Sequence, residues 1–194
     1  MSQGSWQFQS DRTQNWAYCD NLFTPEECDQ IIRIGEAKGL TPALVSEYSS
    51  ALPEQDRVCK VSWLYGGDNI DFIFRRVTDA VISLNQQFFH FDLFGLAEGF
   101  QFTRYDAPSN FHGLHIDKML NGPVRKLSVT IQLSAPEDYE GGDLALQFSD
   151  EKELMPKGQG KMIIFPSYVL HEVLPVTKGT RYSLVAWVTG KPLK

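Results

Sequence analysis

The chain has 194 residues, a formal net charge of −6, 42% apolar residues and 22% charged residues. This length allows one domain with a real core, and the composition is that of an ordinary globular protein. The acidic balance and the lack of a Lys/Arg run argue against nucleic acid as a partner. No window of the sequence is apolar enough to predict a membrane span.

The cysteines and the amino-terminal residues indicate the cellular compartment in which the protein works. Cys19, Cys28 and Cys59 are an odd number without a CxxC spacing, which predicts reduced thiols rather than a disulfide framework. The polar start of the chain lacks the apolar core of a signal peptide. We therefore expect a cytoplasmic protein, and we expect it to be a monomer.

Two helices are predicted in the first half of the chain. Thr24 is a good N-cap, Pro25 suits the first helical position, and Glu27 completes a capping box, so one helix begins there. It should end near residues 38–39, where a glycine can take the left-handed conformation. Apolar residues at helical spacing predict a second, amphipathic helix over residues 68–88.

The second half of the chain shows the pattern of short strands. Turns are predicted at Gly141-Gly142, at residues 156–158 and at Lys178-Gly179. Two helices followed by many strands predict a mainly β (α+β) fold, in which the helices pack on one sheet of a sandwich or jelly roll. The predicted strands cover residues 99–105, 126–134, 143–148, 161–165 and 181–188.

We expect one domain over residues 1–194. Residues 1–90 would supply helical and loop support and a lid, and residues 91–194 would form the jelly-roll catalytic core. Long ordered loops near a site often cover it, so residues 41–57 are the candidate lid, together with the loop of residues 118–124.

One group of side chains has the pattern of a metal site. In the segment His115-Ile116-Asp117, the first and third side chains share one face of an extended chain, and His171 follows in a predicted turn. Two imidazoles and one carboxylate form the facial triad of non-haem Fe(II) oxygenases, which leaves three positions of the metal open. Arg181 stands ten residues after His171, where a guanidinium can bind the far carboxylate of 2-oxoglutarate.

Several motifs strengthen this interpretation through their resemblance to a known family. Residues 171–187 (HEVLPVTKGTRYSLVAW), residues 125–134 (RKLSVTIQLS), residues 141–144 (GGDL) and residues 160–167 (GKMIIFPS) resemble the strands of prolyl 4-hydroxylase-like Fe(II)/2-oxoglutarate-dependent dioxygenases. They are particularly similar to the hypoxia-inducible-factor-type prolyl hydroxylases and their microbial relatives. The resemblance covers about residues 99–187 well and implies a double-stranded β-helix, the cupin-like jelly roll.

The resemblance implies a role for each residue of the site. His115, Asp117 and His171 would bind Fe(II), Arg181 would bind the far carboxylate of 2-oxoglutarate, and Tyr105 would face the cofactor pocket. O2 would be the second co-substrate, and ascorbate is expected to support activity.

The substrate side of the site is implied in the same way, with two departures from the family. Arg125 and Trp187 match positions that line the substrate entrance. Gln132 stands where related enzymes often have a tyrosine that helps to hold 2-oxoglutarate, and its amide can still donate one hydrogen bond. Cys59 stands where they have an acidic residue near the entrance.

The predicted reaction is hydroxylation of a prolyl residue in a protein or peptide, with release of succinate and CO2. Two alternatives stay open: the same chemistry on a free amino acid, a lysyl residue or a small metabolite, and a non-catalytic metal-binding jelly-roll sensor. A zinc hydrolase would have no need of Arg181.

The remaining candidates have weaker patterns. His112 is expected at the rim of the pocket, because it lies three residues before His115 and points to the other face of an extended segment. His90, among phenylalanines, is expected to be structural. The predicted apolar walls of the site are Phe102, Phe111, Ile131 and Phe165.

Overall fold

The structure is a computed structural model that describes residues 14–43, 59–67, 69–108, 112–117 and 122–192. Most of the predicted lid, the first four residues of the 118–124 loop and Phe111 therefore lie outside the described residues, as does the side chain of His112. All three cysteines lie within the described residues, and none of them forms a disulfide.

Two α-helices lie in the first half of the chain, as predicted, but strands also precede and separate them. Helix α1 spans Pro25–Ala37 and begins with the predicted capping box, in which Thr24 and Glu27 each bond the other's backbone N–H. Helix α2 spans Asp71–Leu84 and continues as a π-helical turn over Asn85–Phe89. Neither helix in the described part of the chain combines the length and the apolar character that a membrane span needs.

The described residues also form thirteen strands. In chain order they are β1 (Ala17–Cys19), β2 (Thr41–Pro42), β3 (Lys60–Leu64), β4 (Leu93–Leu96), β5 (Phe100–Asp106), β6 (His112–His115), β7 (Arg125–Gln132), β8 (Tyr139–Gly141), β9 (Leu144–Gln147), β10 (Lys152–Leu154), β11 (Met162–Pro166), β12 (Leu170–Val173) and β13 (Val176–Gly190).

The strands pair into two antiparallel sheets. The larger sheet has nine strands in the order β1-β11-β7-β13-β5-β3-β2, with β4 and β8 also paired to β13. The smaller sheet has four strands in the order β10-β9-β12-β6. With two helices and antiparallel sheets of this kind, the predicted mainly β jelly roll is confirmed.

The two faces of the larger sheet have different partners. The apolar face of β7 (Leu127, Val129 and Ile131) packs with neighbouring strands against both helices, and the buried residues of α1 and α2 belong to the same core. The polar face of β7, with Ser128, Thr130 and Gln132, turns the other way and is also buried. We call this second surface the inner face, since the site residues lie on it.

Two predicted walls of the site are therefore wrong. Phe102 and Ile131 lie in the core between the larger sheet and the helices, on the opposite face from the polar residues of β7. Phe165 does lie at the predicted site, because its ring contacts the His171 ring edge-on with the centroids 4.8 Å apart.

The predicted turn at Lys178-Gly179 is also wrong, since both residues lie inside β13. Pairing between β13 and β8 is irregular there, and Gly179 has a φ of 74°. Glycine takes this left-handed conformation without steric cost, so it serves a bulged strand as well as a turn.

Helix α1 approaches the larger sheet closely at Gly35. A Cβ atom on Gly35 would lie 2.4 Å from Cγ of Phe102, whose ring is fully buried. We therefore expect Gly35→Ala to lower the free energy of unfolding by about 1–3 kcal/mol through overpacking, as measured by denaturant titration. Gly66→Ala is the matched control, because nothing lies within 4 Å of its Cβ position. Equal effects of the two substitutions would contradict this packing.

Candidate metal centre and its anion pocket

Two neighbouring strands and the segment that follows one of them bring the predicted metal ligands together. His115 ends β6 and pairs with His171 of β12, so the two imidazoles stand on neighbouring strands of the smaller sheet. Asp117 follows two residues after His115, and its backbone N–H donates to the carbonyl of Ser167 at 3.0 Å. His171 thus lies in a strand, and the turn predicted for it is wrong.

The ligand atoms of these three residues lie within 4.8 Å of one another. Nε2 of His115 is 3.7 Å from Oδ1 of Asp117, and Nε2 of His171 is 3.4 Å from Oδ2 of the same carboxylate. Asp117 and His171 are only 9% and 7% exposed. The arrangement is therefore a compact, largely buried cluster of two nitrogen donors and one carboxylate.

Backbone carbonyls determine which nitrogen of each imidazole can bind a metal ion. Nδ1 of His115 lies 2.7 Å from the carbonyl oxygen of Gly113, and Nδ1 of His171 lies 3.0 Å from that of Val169. A carbonyl accepts only from an N–H, so both rings carry their proton on Nδ1 when neutral. Each Nε2 atom then carries the lone pair that metal ligation requires.

The ionisation of the cluster is coupled through Asp117. Burial disfavours the carboxylate, but the hydrogen bond and charge of His171, the charge of His115 and the Ser128 hydroxyl outweigh it, so the pKa of Asp117 lies below its ordinary value. Burial likewise disfavours a charged His171, yet Asp117 and the Val169 carbonyl raise its pKa. Asp117 is therefore ionised at neutral pH, and a proton is the competitor of a metal ion at His171.

This donor set fits a divalent first-row metal ion with open positions. His115, Asp117 and His171 are the residues that would hold it.

Ser128 fixes the orientation of the carboxylate. Its hydroxyl donates to Oδ2 of Asp117 at 2.6 Å and lies 3.0 Å from the Ser167 hydroxyl. We expect Ser128→Ala to weaken metal binding by about 10- to 100-fold, since residues that orient ligands typically contribute this much. A calorimetric titration with Mn(II) measures the metal affinity of the variant and of the wild-type protein.

Ser62→Ala is the matched control for this prediction. The Ser62 hydroxyl is also buried, but it donates to the Gly35 carbonyl at 2.7 Å, on the helix side of the larger sheet. Ser62→Ala should lower the stability of the protein without changing its affinity for the metal. An unchanged metal affinity in Ser128→Ala would contradict the role of Ser128.

Arg181 is a buried charged residue on the inner face. Its side chain is 1% exposed, and its guanidinium lies over the Tyr105 ring at 5.4 Å. One Nη donates to Oε1 of Gln132 at 2.9 Å, and the other contacts the Ser183 hydroxyl at 3.5 Å. Among the described residues these partners are all neutral, so no carboxylate balances the buried charge.

Unpartnered polar atoms support the same interpretation. Nε of Arg181 and Oγ1 of Thr103 are buried and have no hydrogen-bond partner among the described residues. Buried donors without partners are costly unless a ligand satisfies them. A bound carboxylate group would satisfy such donors.

The predicted substrate residues lie together on the side of the metal cluster away from Arg181. The Arg125 guanidinium stacks on the Trp187 ring at 4.0 Å and forms an ion pair with Glu98. Trp187 pairs with Ser128, the residue that holds Asp117, so the indole stands next to the metal cluster.

Sequence reasoning missed four residues of this region. Ser128 and Ser167 orient Asp117, while Thr103 and Tyr139 carry unpartnered buried oxygens near Arg181. The available signal was the polar alternation Ser128, Thr130, Gln132 within an otherwise apolar strand, because polar residues on a buried face need partners.

Known sequences match the second half of the chain. Residues 100–189 match the profile of the 2OG-Fe(II) oxygenase superfamily. A PKHD-type hydroxylase of Gloeothece citriformis is 40% identical over 90 residues, which are 45% of this chain and 40% of that protein. A PKHD-type hydroxylase of Prochlorococcus marinus is 41% identical over 99 residues, which are 50% of this chain and 44% of that protein. This chain thus spans less than half the length of these curated relatives.

Solved structures match most of the chain. A Pseudomonas putida prolyl-4-hydroxylase superposes with a TM-score of 0.73 at 21% identity, covering 93% of this chain and 95% of that one. A Trichoplax adhaerens prolyl hydroxylase, in complex with a hypoxia inducible factor oxygen degradation domain peptide fragment, has a TM-score of 0.74 at 16% identity, with coverages of 91% and 84%. At these identities the likeness shows a shared fold.

Proposed function

We propose that this protein is a dioxygenase that hydroxylates a prolyl residue of a protein or peptide and releases succinate and CO2, since residues 100–189 match the profile of the 2OG-Fe(II) oxygenase superfamily. Fe(II) would be held by His115, Asp117 and His171. 2-Oxoglutarate would be held by Arg181, beside Tyr105 and Gln132. When bound, the iron and the 2-oxo acid supply the activation of dioxygen, and ascorbate would support turnover.

One observation favours this enzymatic function over a metal-binding sensor. The three metal ligands and a fully buried arginine without a carboxylate partner among the described residues line the same interior surface. A metal-binding sensor needs the ligands but has no use for the buried charge. An enzyme that binds an anionic 2-oxo acid needs both, since the anion repays the desolvation of the guanidinium.

The inner face next to Trp187 suits a polypeptide substrate. The Trp63 ring lies 6.3 Å from Trp187 and 6.4 Å from Tyr65, so three aromatic rings form a row that extends away from the metal cluster. Tyr65 is 63% exposed. We refer to this row of three rings as the groove, because aromatic-lined grooves bind extended, proline-containing chains.

Two buried donors in this groove have no partner among the described residues. They are Nε1 of Trp187 and Nε of Arg125. A peptide backbone offers a carbonyl acceptor at every residue, whereas a free amino acid has none besides its carboxylate. The groove therefore favours a chain, in agreement with the peptide complex of the Trichoplax adhaerens structure.

We also propose that residues 1–194 work as one unit around a core of residues 91–194. Trp63 of β3 belongs to the amino-terminal part, yet β3 pairs with β5 in the larger sheet and places Trp63 in the groove. The amino-terminal part would then contribute to substrate recognition as well as support.

Peptide hydroxylation is the direct test of this function. The protein is incubated with Fe(II), 2-oxoglutarate, ascorbate and a panel of proline-containing peptides, beside the same peptides with proline replaced by alanine and beside free proline. We expect a mass gain of one oxygen in proline-containing peptides alone. Trp63→Ala should raise the KM for peptide and leave the KM for 2-oxoglutarate unchanged.

The other outcomes separate the alternatives. Oxidation of free proline, or succinate formation without any peptide product, would keep the chemistry and reject the polypeptide substrate. Metal binding without 2-oxoglutarate consumption under any of these conditions would reject catalysis in favour of the sensor.

A further inference from the structure

Tyr139 carries a buried hydroxyl that the function described above does not use. The residue opens β8 and is 4% exposed. Its hydroxyl has no hydrogen-bond partner among the described residues. A buried phenol normally finds a partner, so an unpartnered one indicates a missing ligand or a cost to stability.

The Tyr139 side chain lies beside Arg181. A Cβ atom placed on Gly142 would lie 2.9 Å from Cδ of Arg181 and 3.3 Å from Cε2 of Tyr139, so the two side chains flank the same point. Cε2 is the ring atom next to the carbon that bears the hydroxyl, and Cδ is bonded to the unpartnered Nε of Arg181. Two free donors thus belong to neighbouring side chains.

Gln132 turns its amide oxygen toward the guanidinium. Its Oε1 accepts from Arg181 at 2.9 Å, so a carboxylate that approached from this side would meet a carbonyl oxygen. A carboxylate oxygen and the amide oxygen are both negatively polarised acceptors and repel each other. The Tyr139 hydroxyl, in contrast, can donate its O–H to a carboxylate.

Surrounding contacts hold the Tyr139 ring in place. Nζ of Lys157 lies 5.1 Å from the ring centroid, and it also bonds the Gly141 carbonyl at 2.6 Å and Asp143 at 3.0 Å. The ring packs in a buried cluster with Tyr105, whose ring lies under the Arg181 guanidinium. A ring fixed in this way presents its hydroxyl without an entropic cost on binding.

We infer that Tyr139 is a co-substrate-binding residue, which donates a hydrogen bond to the far carboxylate of 2-oxoglutarate beside Arg181. This inference rests on the proposed use of 2-oxoglutarate. It places this hydrogen-bond donor on β8, whereas Gln132 stands on β7.

The test compares two 2-oxo acids that differ only in the far carboxylate. Binding of 2-oxoglutarate and of 2-oxopentanoate to the Mn(II)-loaded full chain is measured by calorimetry, without turnover. Hydrogen bonds to charged groups contribute strongly, so Tyr139→Phe should weaken 2-oxoglutarate binding by about 10- to 100-fold. It should leave the affinity for 2-oxopentanoate unchanged.

Tyr182→Phe is the matched control. It removes a phenol hydroxyl from β13, but that hydroxyl donates to Glu36 at 2.8 Å on the helix side of the larger sheet. Equal losses for both acids in Tyr139→Phe, or no loss for either, would overturn the inference. If the wild-type protein itself does not distinguish the two acids, the proposed use of 2-oxoglutarate fails instead.

Discussion

Replacing Arg181 by methionine is expected to stabilise the protein without its ligand and to abolish tight binding of 2-oxoglutarate. The side chain is 1% exposed, and its hydrogen-bond partners among the described residues are the neutral Gln132 and Ser183. Removing a buried charge that lacks an opposite charge should raise the free energy of unfolding by about 1–4 kcal/mol. The variant also loses the proposed bond between Arg181 and the far carboxylate of 2-oxoglutarate. This loss should weaken 2-oxoglutarate binding by about thirtyfold or more.

Thermal unfolding and ligand calorimetry measure the two effects, and Arg104→Met is the control. Arg104 lies on the neighbouring strand but pairs with Asp106 at 2.8 Å and Glu36 at 3.1 Å. Its loss should leave stability equal or lower and 2-oxoglutarate affinity unchanged. If Arg181→Met is as destabilising as Arg104→Met and still binds the acid, Arg181 is a structural residue.

Replacing Asp117 by alanine is expected to abolish tight metal binding. Asp117 is the only carboxylate of the cluster, and it also raises the pKa of His171. Loss of a direct ligand should exceed the roughly 100-fold effect that outer residues reach, and Mn(II) calorimetry measures it. The folded structure should survive, because Asp117 contributes no apolar core.

Asp106→Ala is the control for this substitution. Asp106 is a carboxylate on β5 that pairs with Arg104 and Lys60 outside the metal cluster. Its removal should leave metal affinity unchanged. Metal binding that persists in Asp117→Ala at wild-type strength would mean that the ion binds elsewhere.

Secondary-structure elements whose signals lie within a few neighbouring residues were predicted well from the sequence. The capping box of Thr24 and Glu27 places the start of α1, because both partners lie within one turn. The resemblance of residues 99–187 to prolyl 4-hydroxylase-like oxygenases is confirmed by the matching profile, relatives and structures. The spacing of His115, Asp117 and His171 also identified a group of side chains that the structure brings together.

Features that depend on strand pairing could not be predicted in this way. Alternation in β7 distinguishes two faces, but both are buried, so the pattern alone does not say which face meets the helices. This is why Phe102 and Ile131 were assigned to the site rather than to the helix core. Tyr139 comes near Arg181 only because β8 pairs with β13, a contact between distant parts of the chain.

Turnover of 2-oxoglutarate by the wild-type protein and Asp117→Ala is the most direct measurement of the central claim. Each protein is supplied with Fe(II), ascorbate, O2 and 2-oxoglutarate, and succinate is quantified with and without proline-containing peptide. The structure predicts succinate from the wild-type protein, an increase with peptide, and none above background from the variant. Equal succinate from both proteins, or none from the iron-loaded wild type, would contradict the assignment of His115, Asp117 and His171 as a catalytic iron site.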